Sequence, residues 1–237
     1  MADVTSINEG DGAIEHATWT KAGPVPSRMP VDEIAGLEEH AIATIGDSST
    51  LGMWAFATGT WMAAAIFGGE LPYSSAFAVI PVLLIFAGIA QFIAGLYSFR
   101  RANSLLATAF TCFGSFNTTF GLVLLLESIG VIPMTASTWV FHGFLLESFA
   151  FIALALCFAA FQANMATVAM TLLLGAGYCL AGIPYFAGKI DVGAWGLAGN
   201  IGGYLLMASA FCAYYIGMAM VVNSTWKREV LPLFGHP

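Results

Sequence analysis

From residue 51 onward, long hydrophobic runs alternate with short polar interruptions, whereas the preceding residues are mostly polar. Crossing a hydrocarbon core takes about 20 consecutive apolar residues in a helix. Six runs reach that length, near 51–69, 76–98, 105–127, 138–161, 166–187 and 192–222. The breaks between them are Gly68-Gly69-Glu70-Leu71-Pro72, Arg100-Arg101, the stretch from Ser128 to Ser137 with Pro133, Gln162 to Asn164, and Gly188-Lys189-Ile190-Asp191. The last run is longer than a bilayer is thick, so its end is expected to emerge or tilt. Asp47, followed by Ser48 and Ser49, stands where a side-chain oxygen can cap the first helix. The pattern predicts an all-α integral membrane protein, a bundle of six transmembrane helices.

Composition narrows the picture. Hydrophobic residues make up 59% of the 237, charged residues 9%, and mean hydropathy is +0.82. Soluble domains carry about 25% charged residues, so the lipid bilayer is the first partner. The net charge of −7 sits mostly in front of the spans, in Asp3, Glu9, Asp11, Glu15, Asp32, Glu33, Glu38, Glu39 and Asp47. Residues 1–45 therefore read as an acidic, disordered tail without chemistry, 46–230 as the membrane domain and 231–237 as a short C-terminal tail. No basic cluster supports a nucleic-acid partner. No secretory signal pattern precedes the first run, so the spans themselves are expected to direct insertion.

With both termini cytoplasmic, the inner segments hold Lys21, Arg28, Arg100, Arg101, Lys227 and Arg228, and the outer ones only Lys189. That asymmetry fits an even number of spans in a cell membrane. Trp54, Tyr73, Trp139, Trp195 and Trp226 stand near span ends, as in an interfacial aromatic belt. Cys112, Cys157, Cys179 and Cys212 all fall in apolar segments without a CxxC spacing and read as packing residues.

Membrane helices gain little from apolar burial against each other, so close packing depends on small residues. Ala55, Gly59 and Ala63 share a face of the first span, the second carries a small-residue block at 87–95, and the sixth has GxxxG from Gly199 to Gly203. These faces serve either the bundle or contacts between subunits. Polar residues inside spans carry the functional interest, because each is costly unless paired or wetted. Thr108, Thr111, Ser115 and Thr118 share one face of the third span. Ser and Thr can bond their own helix carbonyls, which offers a packing explanation for that stripe. Asn117 cannot hide its amide that way, and it lies with Phe113 and Phe110 on another face. Gln91 sits mid-span among small residues, where a cross-helix hydrogen bond is the plainer role. Glu147 lies mid-span in the fourth helix, about a turn and a half from His142. It must be protonated, paired or wet, and the two are candidates for proton coupling. Glu70 and Glu127 are expected at the outer surface.

Metal ligation and haem ligation find no support, since only His142 among four histidines lies in a span. No HExxH, paired intramembrane aspartates or phosphate-binding loop is present, so no cofactor or enzymatic activity is expected. Passage of a small solute is the better inference. A non-conducting scaffold, in which the glycine faces serve assembly, is the alternative from another class.

Three blocks carry a resemblance: Leu51-Gly52-Met53 after the capped break, Gly88-Ile89-Ala90-Gln91-Phe92-Ile93-Ala94-Gly95, and Thr108-Ala109-Phe110-Thr111-Cys112-Phe113-Gly114-Ser115-Phe116. Together with Val230-Leu231-Pro232-Leu233 after Asn223, they resemble the acetate uptake transporter family, the succinate–acetate permeases, over residues 46–235. The resemblance implies a six-helix protomer in a homohexamer, with an anion path through each protomer for acetate and similar small monocarboxylates. It implies a constriction at Phe56, Phe113 and Leu174. The family's Asn-Pro-Ala-Pro-Leu-Gly-Leu motif falls on Asp47, Ser48, Ser49, Thr50, Leu51, Gly52 and Met53, with both prolines replaced and an acidic cap. Phe113 stands where the family has Tyr, which removes a hydroxyl from the narrowest point. Asp47, Thr60, Gln91, Thr111, Ser115 and Asn117 complete the expected path. The altered first-helix motif also leaves formate, ammonia or bicarbonate open as the solute.

Overall fold

In the computed structural model, residues 18–20, 23–25, 46–187 and 196–235 are described. The chain falls into two units, Met1–Gly46 and Asp47–Pro237. The first contributes an antiparallel hairpin, β1 (Thr18–Thr20) paired with β2 (Gly23–Val25). Most of the segment expected to be a tail lies outside the described residues.

The second unit is helical. Among the described residues, six helices are long and apolar enough to cross a membrane: α1 (Ser49–Phe67), α2 (Tyr73–Arg100), α3 (Ser104–Ser128), α4 (Ala136–Ala160), α5 (Met165–Phe186) and α6 (Gly196–Trp226). Residues 188–195, including the expected start of the sixth span, lie outside the described residues. Polar side chains at the breaks start the helices. Asp47 Oδ1 accepts from the Ser49 N–H at 2.9 Å, Asn103 from Leu106 N–H, and Asn164 from Thr167 N–H. Thr135 and Thr138 form a reciprocal capping box. Gly69 (φ 82°) and Gly130 (φ 75°) take the left-handed conformation in the turns that follow α1 and α3.

α2 is not uniform. Pro81 ends its first α-helical segment, and Val82–Ala90 runs as a π-helix before α-helix resumes at Gln91. Proline lacks an N–H and crowds the preceding turn, which accounts for a change of register at this point. As the register returns to α, the Gln91 N–H bonds the carbonyls of Phe86 and Gly88.

α6 packs extensively on α1 and α5, and α4 on α5; α2 pairs chiefly with α3. Small residues set these contacts. A Cβ on Gly203 would collide with the backbone of Gly68, and one on Gly202 with the backbone of Ala181. Gly203, the second glycine of the GxxxG in α6, is thus used within the bundle. α3 and α4, although consecutive, touch little through their backbones. Rings fill the gap, with Phe116 and Phe149 centroids 4.4 Å apart and Phe113 and Phe149 5.7 Å apart.

Beyond α6 the chain turns back. Asn223 Oδ1 accepts from the Val230 and Leu231 N–H groups, and its amide donates to the Leu231 carbonyl. The Tyr215 hydroxyl donates to the Pro232 carbonyl, and the Phe234 carbonyl accepts from Met165 N–H at the start of α5. The expected C-terminal tail is therefore a strap, held by one asparagine and tied to the neighbouring helix. Tyr73 is a second difference. Expected in the interfacial belt, it is 5% exposed and turned into the bundle against Trp139, at 5.2 Å between centroids. Trp54 and Trp226 are exposed as a belt requires, and Trp195 lies outside the described residues.

Candidate functional site

Three small cavities follow one another along the bundle. The first, of about 20 Å³, is lined by Met53, Phe56, Gln91, Phe110, Phe113 and Leu174 among others. The second, about 10 Å³, is lined by Thr60, Asn117, Phe116, Phe120 and Tyr178 among others. The third, about 20 Å³, lies among Phe67, Tyr73, Leu83, Phe120, Leu124 and Tyr185. Each has room for about one water molecule. They run from the N-terminal end of α1 toward its C-terminal end, and the last two share Ala63, Phe67, Leu83 and Phe120.

Rings separate the first cavity from the second. Phe56 meets Phe113 edge-on at 5.9 Å, and Tyr178 stacks on Phe113 at 6.4 Å with 15° between planes. Phe56, Phe113 and Leu174 are 3%, 3% and 1% exposed and all face the first cavity. The two phenylalanines thus point inward. Sequence reasoning missed Tyr178. Its hydroxyl faces that of Thr60, whose buried Oγ1 has no hydrogen-bond partner. A phenol therefore reaches the narrow region from α5, while Phe113 offers none from α3. Its signal was a tyrosine four residues, about one turn, after Leu174.

Gln91 and Asn117 are brought together. Asn117 Nδ2 donates to Gln91 Oε1 at 3.2 Å and to the Ala87 carbonyl at 3.1 Å, the latter within the π segment. Gln91 faces the first cavity and Asn117 the second, so one hydrogen-bonded pair spans the ring barrier.

The other expected path residues lie elsewhere. Asp47 is exposed at the start of α1, with its carboxylate engaged by the Ser49 N–H. Beside it, Ser48 Oγ donates to the Ala94 carbonyl and lies 3.2 Å from Ser98 Oγ, which ties the altered motif to α2. Ser115 is exposed and Thr111 half-buried, and both hydroxyls donate to carbonyls of their own helix, Thr111 and Ala107 respectively. Ser115 borders an outward-facing recess with Ile89, Phe92, Thr118 and Thr119. α3 is continuous through Gly114, so the stripe and the Asn117 face stay on different sides of one helix.

His142 does not meet Glu147. It meets Glu127, which is 6% exposed where an outer-surface position was expected, with Nε2 3.5 Å from Oε1. Glu147 lies instead beside Gly182 and the Cys179 thiol, toward α5. Glu70 is exposed and accepts from the Tyr204 hydroxyl at 2.7 Å. Among the described residues, no group of three His, Cys, Asp or Glu side chains is placed to hold a metal ion.

Comparison with known proteins agrees with this architecture. A solved structure titled as that of the bacterial acetate channel SatP matches with a TM-score of 0.70 and 24% identity, covering 80% of this chain and 99% of its own. The succinate-acetate/proton symporter SatP of Escherichia coli strain K12 is 27% identical over 150 residues, 63% of this chain and 76% of that protein. The Shigella flexneri protein of the same name matches equally. The family model described as GPR1/FUN34/yaaH covers residues 33–234, and the chain belongs to the GPR1/FUN34/yaaH family.

Proposed function

We propose that this membrane protein conducts acetate and similar small monocarboxylates through a dry constriction inside each protomer. The observation that carries this reading is that Phe56, Phe113 and Leu174, all buried, line one axial cavity, while Phe113 packs against Phe56 and stacks on Tyr178 of the next. The relatives named for acetate transport and for an acetate channel support the substrate class.

A carboxylate sheds water on entering an apolar ring, which is expensive unless hydrogen-bond donors wait on both sides. Gln91 stands before the barrier; Thr60, Asn117 and Tyr178 stand after it. No Lys or Arg lies between residues 102 and 188 to trap an anion. Binding is then weak and exit easy, as conduction requires. The cavities hold about one water each, so the barrier is closed and passage needs the Phe56 and Phe113 rings to turn. One apolar methyl group slides past rings more cheaply than a second carboxylate, so monocarboxylates are favoured over dicarboxylates.

Two further features belong to the proposal. Both termini face the cytoplasm, on the strength of six Lys and Arg against one. The protomers form a homohexamer, supported by the family resemblance and by exposed hydroxyl residues on α3, Thr108, Ser115 and Thr119, which suit a neighbouring protomer better than hydrocarbon. The test is a flux assay in proteoliposomes with acetate, formate and succinate. Acetate flux above that of empty liposomes, with Phe113→Ala admitting succinate, is the expected result. No acetate flux, or unchanged selectivity in Phe113→Ala, would overturn the reading.

A further inference from the structure

We propose that Glu127 and His142 form a site for one exchangeable proton at the α3–α4 end of the path, and that this proton controls passage of the carboxylate. The coupling rests on the transport reading above; the proton site does not.

The Thr138 carbonyl fixes the tautomer of His142. His142 Nδ1 lies 2.8 Å from the Thr138 carbonyl, which can only accept, so Nδ1 carries a hydrogen. In a neutral imidazole, Nε2 is then a bare lone pair. It faces Glu127 Oε1 at 3.5 Å, longer than a formed hydrogen bond, with both side chains 1% exposed. Two acceptors facing each other away from water are unfavourable unless a proton lies between them. Either Glu127 is a carboxylic acid donating to Nε2, or His142 is an imidazolium donating to a carboxylate. Both describe the same pair holding one proton, with no net charge. The buried Glu127 Oε2 and His142 Nε2 have no hydrogen-bond partner, which leaves both atoms available to a proton arriving from water.

The surroundings hold this site against the path. Tyr185 of α5 stacks on the imidazole, with centroids 5.5 Å apart and 17° between planes. Phe120 of α3 meets it edge-on at 5.5 Å. Tyr185, Phe120 and Tyr73 also line the third cavity. The titratable groups facing the pair are thus Tyr73 from α2 and Tyr185 from α5. α1 presents Phe67 to Tyr185, and Glu147 is turned away toward α5. Among the described residues, the ion pair recorded for the Glu127 carboxylate is the one with His142.

Uptake breaks an O–H bond of a hydronium ion, forms an O–H bond on Glu127 or an N–H bond on His142 Nε2, and leaves water. The pair passes from one net negative charge to none. Unprotonated, it sets a buried negative charge beside the cavity that an anion must cross. Protonated, it removes that repulsion. Acid on this side therefore opens the path to carboxylates, and the proton can leave with the anion.

Two measurements on the full-length protein test this. The first is infrared difference spectroscopy between acidic and neutral pH on purified protein. It is expected to show a protonated-carboxyl band that Glu127→Gln abolishes and His142→Gln shifts in pH. The same band in Glu127→Gln would overturn the site. The second is acetate flux in proteoliposomes, corrected for empty liposomes, as the pH on the α3–α4 side is varied. Wild type should gain at least tenfold from neutral to acid, whereas Glu127→Gln, with its permanently neutral amide, should conduct at both. His142→Gln is the second variant should the first not fold. A wild-type pH profile in either folded variant would overturn the coupling. Loss of a Glu127 infrared band together with absence of acetate flux in wild type would support the proton site and overturn its coupling to transport.

Discussion

Asn117 shows how one side chain joins structure to passage. Its amide holds Gln91 Oε1 and the Ala87 carbonyl, all buried, so removing it leaves acceptors without donors. Such orphaned groups cost about 1–3 kcal/mol each, whereas replacing both partners by apolar residues can be nearly neutral. Asn117→Leu should therefore lower the thermal unfolding midpoint in detergent, and Asn117→Leu with Gln91→Leu should recover part of that loss. Acetate flux should stay low in both, because the donors flanking the rings are gone. A double variant less stable than the single one would contradict the pairing. Tyr178→Phe separates the roles differently. It deletes one hydroxyl beside Thr60 and keeps the ring stacked on Phe113, so stability should hardly move while acetate flux falls severalfold. The sequence singled out both Asn117 and Gln91 as awkward polar residues in lipid. Their pairing was not legible, because it depends on where the π register brings the Ala87 carbonyl and the Gln91 side chain. Glu127 was misplaced for a related reason. Hydropathy sets it at a span end, and only the return of α4 across the turn covers it with His142.

At the scale of elements, glycines and one asparagine decide how the helices close. Gly203 meets the backbone of Gly68, which cannot yield as a flexible side chain could. Gly203→Ala should cost about 1–3 kcal/mol by overpacking and lower the yield of folded protein. Gly46→Ala, with nothing within 4 Å of the added methyl, should behave as wild type. Thermal melts of the two variants check the contrast. Asn223 makes three hydrogen bonds to the strap that follows α6. Asn223→Ala should free residues 228–235 to carboxypeptidase while the six helices stay intact. A digestion rate unchanged from wild type would mean that the Tyr215 and Met165 bonds suffice. The six helices were legible from spans and breaks alone, since apolar length acts locally, whereas the caps at Asn103, Thr135 and Asn164 were not singled out. The strap and the π segment were not legible. The strap arises from contacts between elements, which no local window contains, and Pro81 marks a change of register in α2 without specifying its π form.

At the scale of the whole molecule, the direction in which the path faces depends on charge distribution, because the bundle's interior carries no marker of inside or outside. The start of α2, the start of α4 and the end of α5 meet at one end of the bundle, through Tyr73, Trp139 and Tyr185, and the Glu127–His142 pair lies at that end. Arg100, Arg101, Lys227 and Arg228 belong to the other end, while Lys189 lies in the α5–α6 connection, outside the described residues. Under the proposed orientation, with Lys and Arg retained in the cytoplasm, the proton site would lie on the exterior, where acidification would favour uptake of the acid rather than its release. Lys189→Cys, in a background lacking the four native cysteines, should react with a membrane-impermeant maleimide added to intact cells. A cysteine in place of Arg101 should react only after lysis. The reverse labelling pattern would turn the protein over in the membrane. The same proton pair would then answer to cytoplasmic pH, and acidification inside the cell would favour export through an unchanged constriction.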